Sequence, residues 1–398
     1  MGGERIAIIG GRIIDPDNGT DFIGNLYIAG GKILALEQGP EGFQADKEIK
    51  LAGQIVCPGF VDLSARVREP GKEHKATIES ETAAAARSGI TTLCCPPDTT
   101  PVTDTPAVAE LIKEKAGIAG KARLLPIGAL TQGLAGKDLS EMEALKNAGC
   151  VAVSNAFEPM INLLVLRRSM EYAASHGLLL IIRPEDPSLR NDGCAHEGAV
   201  ATRYGLPGIP DTAETVAVSQ TLALVEQTGI RAHFGQLSCA RSVTLIAKAI
   251  SDGMPVSADV AAHQLHLTES NLRDFDANYH VSPPLRTESD LQALRAGLAD
   301  GVIAALCSDH QPHDENAKLA AFPCTEPGIS ALETLLPFAL RLVDDGVVTL
   351  PRALARLTGR FPEASLVVIG EGSDRARLER LTADANLAER VRFTGFVP

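Results

Sequence analysis

Side chains able to hold a metal ion gather in one segment of this 398-residue sequence, SDHQPHDE, where Asp309, His310 and His313 stand close together. His233, His263 and His266 could add imidazole donors, the commonest metal-ligating side chain. Their spacing argues against one shared ion. His263 and His266 are three apart on a predicted loop, and His233 lies three residues before Gln236, facing the other side of a regular strand. His74, His176, His196 and His280 read as packed or surface residues. The other chemical group is cationic: Arg66 and Arg68 in SARVREPG, and Arg183 in IIRPEDPSL. A guanidinium has no lone pair to give and keeps its proton, so these side chains would repel a divalent cation and suit an anion.

Nearly all of these groups fall at the C-terminal ends of short apolar runs, which must be strands. From Cys57 onward such runs alternate with Ala- and Leu-rich amphipathic stretches, the βαβα pattern of a parallel sheet. Eight strands are expected: Gly59 to Leu63, Ile90 to Cys95, Ala122 to Ile127, Cys150 to Ser154, Leu178 to Arg183, Arg231 to Gln236, Val256 to Val260 and Val302 to Ser308. Eight suit a closed (β/α)₈ TIM barrel of the α/β class, whose reacting groups sit at the strand C-termini. TIESETAAAARSG and DTAETVAVSQTLALVEQTG read as helices with Thr or Asp caps and a closing Gly. Before the barrel, RIAIIGGRIID, NLYIAGGKILAL and KEIKLAGQIV predict a small antiparallel module over residues 1–56, leaving 57–358 for the barrel.

The length fits a barrel of about 250 residues plus accessory parts. A net charge of −13 excludes a protein built to neutralise nucleic-acid phosphates. Eight cysteines without a CxxC pair read as buried thiols in a reducing compartment. No apolar run approaches the roughly 18 residues of a membrane span. The opening MGGERIAIIGGRIIDP looks like a strand rather than a secretion signal, so a cytoplasmic chain without membrane contact is expected.

The ordered set REPG, PxTxP, PED, LSxAxSV, SPPLR and SDHxPH resembles the dihydroorotase branch of the cyclic amidohydrolases, over about residues 5–358. The resemblance implies a metal-dependent barrel that closes carbamoyl-aspartate into dihydroorotate, with a β-sandwich made from both chain ends. It also implies where the metal ligands should be, and there the sequence departs. The paired histidines of the first strand are replaced by Ser64 and Arg66, and the fourth-strand carboxylate by Asn155 and Ala156. Arg183 and Gln236 stand at the histidine positions of strands five and six; Asp309 alone is kept. Of the two substrate anchors that the resemblance implies, Arg68 matches, whereas Asp98 stands in place of Asn and would repel an anion. Arg68, His263 and His313 remain as relics of the pocket.

Zinc is therefore expected to be absent, and no catalytic, cofactor-binding or metal-ligating residue is assigned. In lacking those histidines the sequence is similar to the noncatalytic dihydroorotase-like subunits that bacteria pair with aspartate transcarbamoylase. That likeness implies a pseudoenzyme in a hetero-oligomer of pyrimidine biosynthesis. Two other readings stay open: an active cyclic amidohydrolase with an altered metal site, and a sensor holding an anion at Arg66, Arg68 and Arg183. Loss of a metal would also leave Asp309, Glu185 and Asp186 as like charges at the rim, which predicts an ion pair between Asp309 and Arg66 or Arg183.

The ending differs. Residues 361–398, FPEASLVVIGEGSDRARLERLTADANLAERVRFTGFVP, read as strand, Gly turn, helix and strand. They resemble the opening βαβ unit of the nucleotide-sugar half of GT-B glycosyltransferases. So small a piece cannot bury an apolar strand alone, and is expected to dock on the barrel or the N-terminal strands. A fusion, an engineered chimera or a truncated chain would each give such an ending.

Overall fold

The computed structural model describes residues 4–358, 366–369 and 391–394. At the N-terminal end β1 (Ile6–Asp15), β2 (Thr20–Ala29), β3 (Lys32–Leu36), β4 (Lys47–Lys50) and β5 (Ile55–Pro58) form one sheet. It is mixed, not antiparallel as the sequence suggested. β1 runs antiparallel to β2, yet its first half pairs parallel with β4 and its second half parallel with β5. A bulge between Ile8 and Gly11, where Gly10 takes φ 75°, divides β1 into those two halves. Ile6, Ile8, Ile13, Leu26, Ile49, Leu51 and Val56 fill the core of this unit.

The barrel follows. Its first part runs β6 (Phe60–Asp62), α1 (Ile78–Arg87), β7 (Ile90–Cys95), α2 (Pro106–Ala119), β8 (Arg123–Pro126) and its continuation β9 (Gly128–Ala129). Next come α3 (Met142–Asn147), β10 (Val153–Ser154), α4 (Leu163–Ser175) and β11 (Leu180–Ile182). An excursion holds α5 (Pro187–Arg190), β12 (Ala195–His196), α6 (Ala199–Tyr204) and β13 (Gly208–Ile209). The remainder is α7 (Thr212–Thr228), β14 (Ala232–Phe234), α8 (Ala240–Ser251), β15 (Val256–Ala261), α9 (Glu288–Asp300), β16 (Ala305–Cys307), α10 (Leu335–Asp344) and α11 (Leu350–Thr358).

Adjacent barrel strands pair in parallel, and the ring closes where Ala65 bridges His310. At that seam the Arg66 N–H donates to the His310 carbonyl over 2.9 Å. Buried Asp62 ties the same strands together by accepting the Ser308 N–H at 2.9 Å. Each expected strand is present, most of them shorter than expected. The Thr77 hydroxyl caps α1 by accepting the Ser80 N–H, whereas Asp211 makes no side-chain cap at α7; there Gly229, at φ 66°, supplies the left-handed stop. Among the described residues no helix is long and apolar enough to cross a membrane.

Beyond Thr358, β17 (Leu366–Ile369) runs antiparallel to β5, and β18 (Val391–Thr394) runs parallel to β17. The Gly turn and helix read between these two strands lie outside the described residues. All eight cysteines are free thiols; seven are buried, but Cys324 is exposed, contrary to the sequence reading, because it sits on a short surface turn after Phe322.

Candidate functional site

The strands end in strained turns where chemistry was sought. Arg68, Ala156, Gln236 and Asp309 all adopt positive φ, at 62°, 50°, 59° and 50°, conformations that cost a non-glycine residue free energy. Those turns, after strands one, four, six and eight, aim side chains at one another, and Arg183 joins them from the end of strand five.

Arg66 is the centre. Only 5% exposed, it donates from Nε to Asp98 at 2.7 Å and holds Nη1 3.6 Å from Asp309 Oδ1. The ion pair expected at Asp309 thus forms with Arg66. The nearer partner is Asp98, so that carboxylate is neutralised rather than left to repel ligands. Burial lifts the Asp309 carboxyl to about 7, although Arg66 and Arg183 pull it back down.

Arg183 takes other partners. It lies 3.3 Å from Glu185 and donates to the Ser282 hydroxyl over 2.6 Å, while Arg190 reaches Glu185 as well, at 3.1 Å. Asp186 caps α5 instead of pairing with either site arginine. The sequence reading missed Phe157. Its ring lies 3.8 Å from the Arg66 guanidinium and 4.4 Å from that of Arg183, so one aromatic group serves both cations. The available signal was an aromatic side chain two residues past the vacated Asn155 position. Beside it opens a cavity of about 190 Å³, lined in part by Phe157, Met160, Ile182, Arg183, Glu185 and Thr221.

Side-chain amides knit the remaining ligand positions together. Gln236 donates its amide to Ser64 Oγ at 2.8 Å and to Asp309 Oδ1 at 2.9 Å, and Gln311 also donates to Asp309 at 3.1 Å. Asn155 ties its own loop to the one that follows β9. It accepts from the Thr131 hydroxyl and donates to the Leu134 and Glu158 carbonyls.

The other candidates lie apart from this cluster or serve the rim. Arg68 donates to the Pro312 carbonyl at 2.8 Å and sits 3.3 Å from His313. His313 also faces Lys75 and the Pro327 carbonyl, and burial depresses it to about 4. His310 points away to Glu81 at 2.6 Å. His233 faces Ser257 and Asp259, at 2.8 and 2.9 Å. His263 is wholly buried; neither ring nitrogen has a hydrogen-bond partner, and burial pushes it to about 4.

Tested as a zinc site, the cluster does not fit. Two of the implied ligand positions carry guanidinium groups with no lone pair, and the Asn155 amide is spent on Thr131, Leu134 and Glu158. Among the described residues no three His, Cys, Asp or Glu side chains come together in a way that could hold a metal ion.

The dihydro-orotase-like family profile matches residues 53–242, and that of glycosyl transferases group 1 matches residues 329–398. A dihydroorotase-like protein of Pseudomonas aeruginosa is 50% identical over 93% of this chain and 88% of its own. A dihydroorotase of Syntrophotalea carbinolica is 41% identical over 92% of this chain and 86% of its own. Among solved structures, the L-hydantoinase (dihydropyrimidinase) of Arthrobacter aurescens superposes with a TM-score of 0.77 at 23% identity, covering 88% of this chain and 80% of that one. That likeness concerns the fold.

Proposed function

The chain belongs to the dihydroorotase-like family, and from that premise we propose that it is a catalytically silent member acting as the structural partner of aspartate transcarbamoylase in pyrimidine biosynthesis. One observation carries the silence: Arg66, at an implied histidine position, is bound between Asp98 and Asp309. A cation fixed there takes the space and the carboxylate that a metal would need, and without metal-bound hydroxide the family's ring chemistry has no nucleophile at neutral pH. The barrel scaffold itself is complete, which is what a partner role requires. On this reading the N-terminal sheet is the retained part of a β-sandwich, and the protein works in the cytoplasm.

Three measurements on the purified protein test the proposal: metal content after growth with zinc, dihydroorotate turnover, and co-migration with aspartate transcarbamoylase. The expected result is negligible zinc, no turnover and one larger particle. Stoichiometric zinc with turnover would instead establish an amidohydrolase with an altered site. The anion-sensor reading keeps one point in its favour: Arg66 Nη1 and Arg183 Nε are buried without hydrogen-bond partners. It requires that an anion such as phosphate or aspartate raise the unfolding temperature.

A further inference from the structure

The cavity beside Phe157 touches the vacated metal site at Asn155 and Arg183 but extends away from it, between α4 and α7. Leu166 and Ile182, 3% and 9% exposed, give it an apolar floor, and Ile161, 78% exposed, stands at its lip. Its volume of about 190 Å³ exceeds the roughly 150 Å³ in which a protein core can hold benzene. A small ring therefore fits.

One polar group deep in the cavity has nothing to bond. Thr221 is 4% exposed, and its hydroxyl has no hydrogen-bond partner among the described residues. On the same helix the Ser219 and Thr228 hydroxyls turn back to the Thr215 and Leu224 carbonyls, at 2.8 and 2.7 Å. Thr221 does not, and a buried hydroxyl left unpaired costs free energy that a ligand atom would recover.

Charge says what the other end of the ligand should be. The carboxylates of Glu158, Glu185 and Asp186 line the cavity together with a single guanidinium, that of Arg183. Arg183 and Arg190 satisfy Glu185, at 3.3 and 3.1 Å. Glu158 is exposed at the lip, and Asp186 accepts only from Ser188 and Leu189; neither has a cationic partner among the described residues. Even with Arg190 included, carboxylates outnumber guanidinium groups here.

We infer that this cavity binds a small amine with an apolar body and a hydroxyl at its far end: the body on Leu166 and Ile182, the hydroxyl on Thr221, the ammonium beside Glu158 and Asp186. An apolar lining with a few placed polar groups is the usual make-up of a small-molecule site. The inference does not depend on transcarbamoylase and survives if no complex forms.

Calorimetric titration of the full chain with three probes tests it: tyramine, phenethylamine, which lacks the hydroxyl, and hydroxyphenylpropionate, which reverses the charge. Tyramine should bind about fivefold tighter than phenethylamine, and T221V should erase that difference. E158Q, on the surface, should weaken both amines about threefold, and A217L, which fills the cavity, should abolish binding. No binding of tyramine, a tyramine preference unchanged in T221V, or amine affinities unchanged in E158Q or A217L would each overturn the inference. Tighter binding of the propionate would overturn it too, and would count for the anion-sensor reading instead.

Discussion

Arg66 and Asp98 face each other across 2.7 Å, closer than the 3.6 Å between Arg66 and Asp309. They come from the ends of adjacent strands, β6 and β7, and each stands where the family resemblance implies a different side chain. The two departures compensate: a cation that displaces a ligand is matched by a carboxylate that displaces an amide.

Removing that cation should be costly. R66M leaves Asp98 and Asp309 beside each other without their counter-charge, and breaking a buried pair from one side costs about 3 kcal/mol. Urea unfolding should show the loss, with R66M/D309N recovering part of it. An R66M protein as stable as the parent would mean that the pair is not holding the mouth together.

Phe157 should matter through its π face. Two cation contacts together are worth about 2 kcal/mol, so F157A should fall by that much, and F157L, which keeps bulk without the ring, should recover only a fraction. Equal stability of F157L and wild type would leave the stacking without energetic weight.

His263 makes stability sensitive to acid. Its folded pKa is depressed from 6.5 to about 4, so its contribution is complete above 6.5 and is lost as pH falls through that window. A depression of that size corresponds to about 3 kcal/mol. Unfolding midpoints measured across the window should drop less for H263F than for wild type; parallel curves would refute the assignment.

Gly71 fixes how the first-strand loop meets the second. It sits at φ 102°, and an added Cβ would collide with the carbonyl oxygen and side chain of Thr100. G71A should therefore lose about 3 kcal/mol, measurable by thermal unfolding.

Much of this was readable from sequence, and what was not shares a cause. The bounds of Ile90–Cys95 were legible because all six side chains are buried and all are β-branched or apolar, with a Gly before the run and prolines after it. The expected strand from Cys150 shrank to Val153–Ser154 because the Cys150 N–H is spent on Leu145, closing α3. In the site, loss of ligand types could be read residue by residue. The repair could not: Asp98 looked like a defect until its partner 32 positions away was in view. Phe157 likewise acquires a role only when strands one and five bring two guanidinium groups to it. The parallel pairing of β4 and β5 escaped notice because strand direction depends on the path of the connecting loops.

One edge of the N-terminal sheet is β3; at the other, β17 lies along β5 and β18 along β17, so the two late strands extend the sheet from the far end of the chain. Trimming the chain after Thr358 would strip both strands and leave Ile55–Pro58 without its antiparallel neighbour, a loss of β-structure that circular dichroism would register.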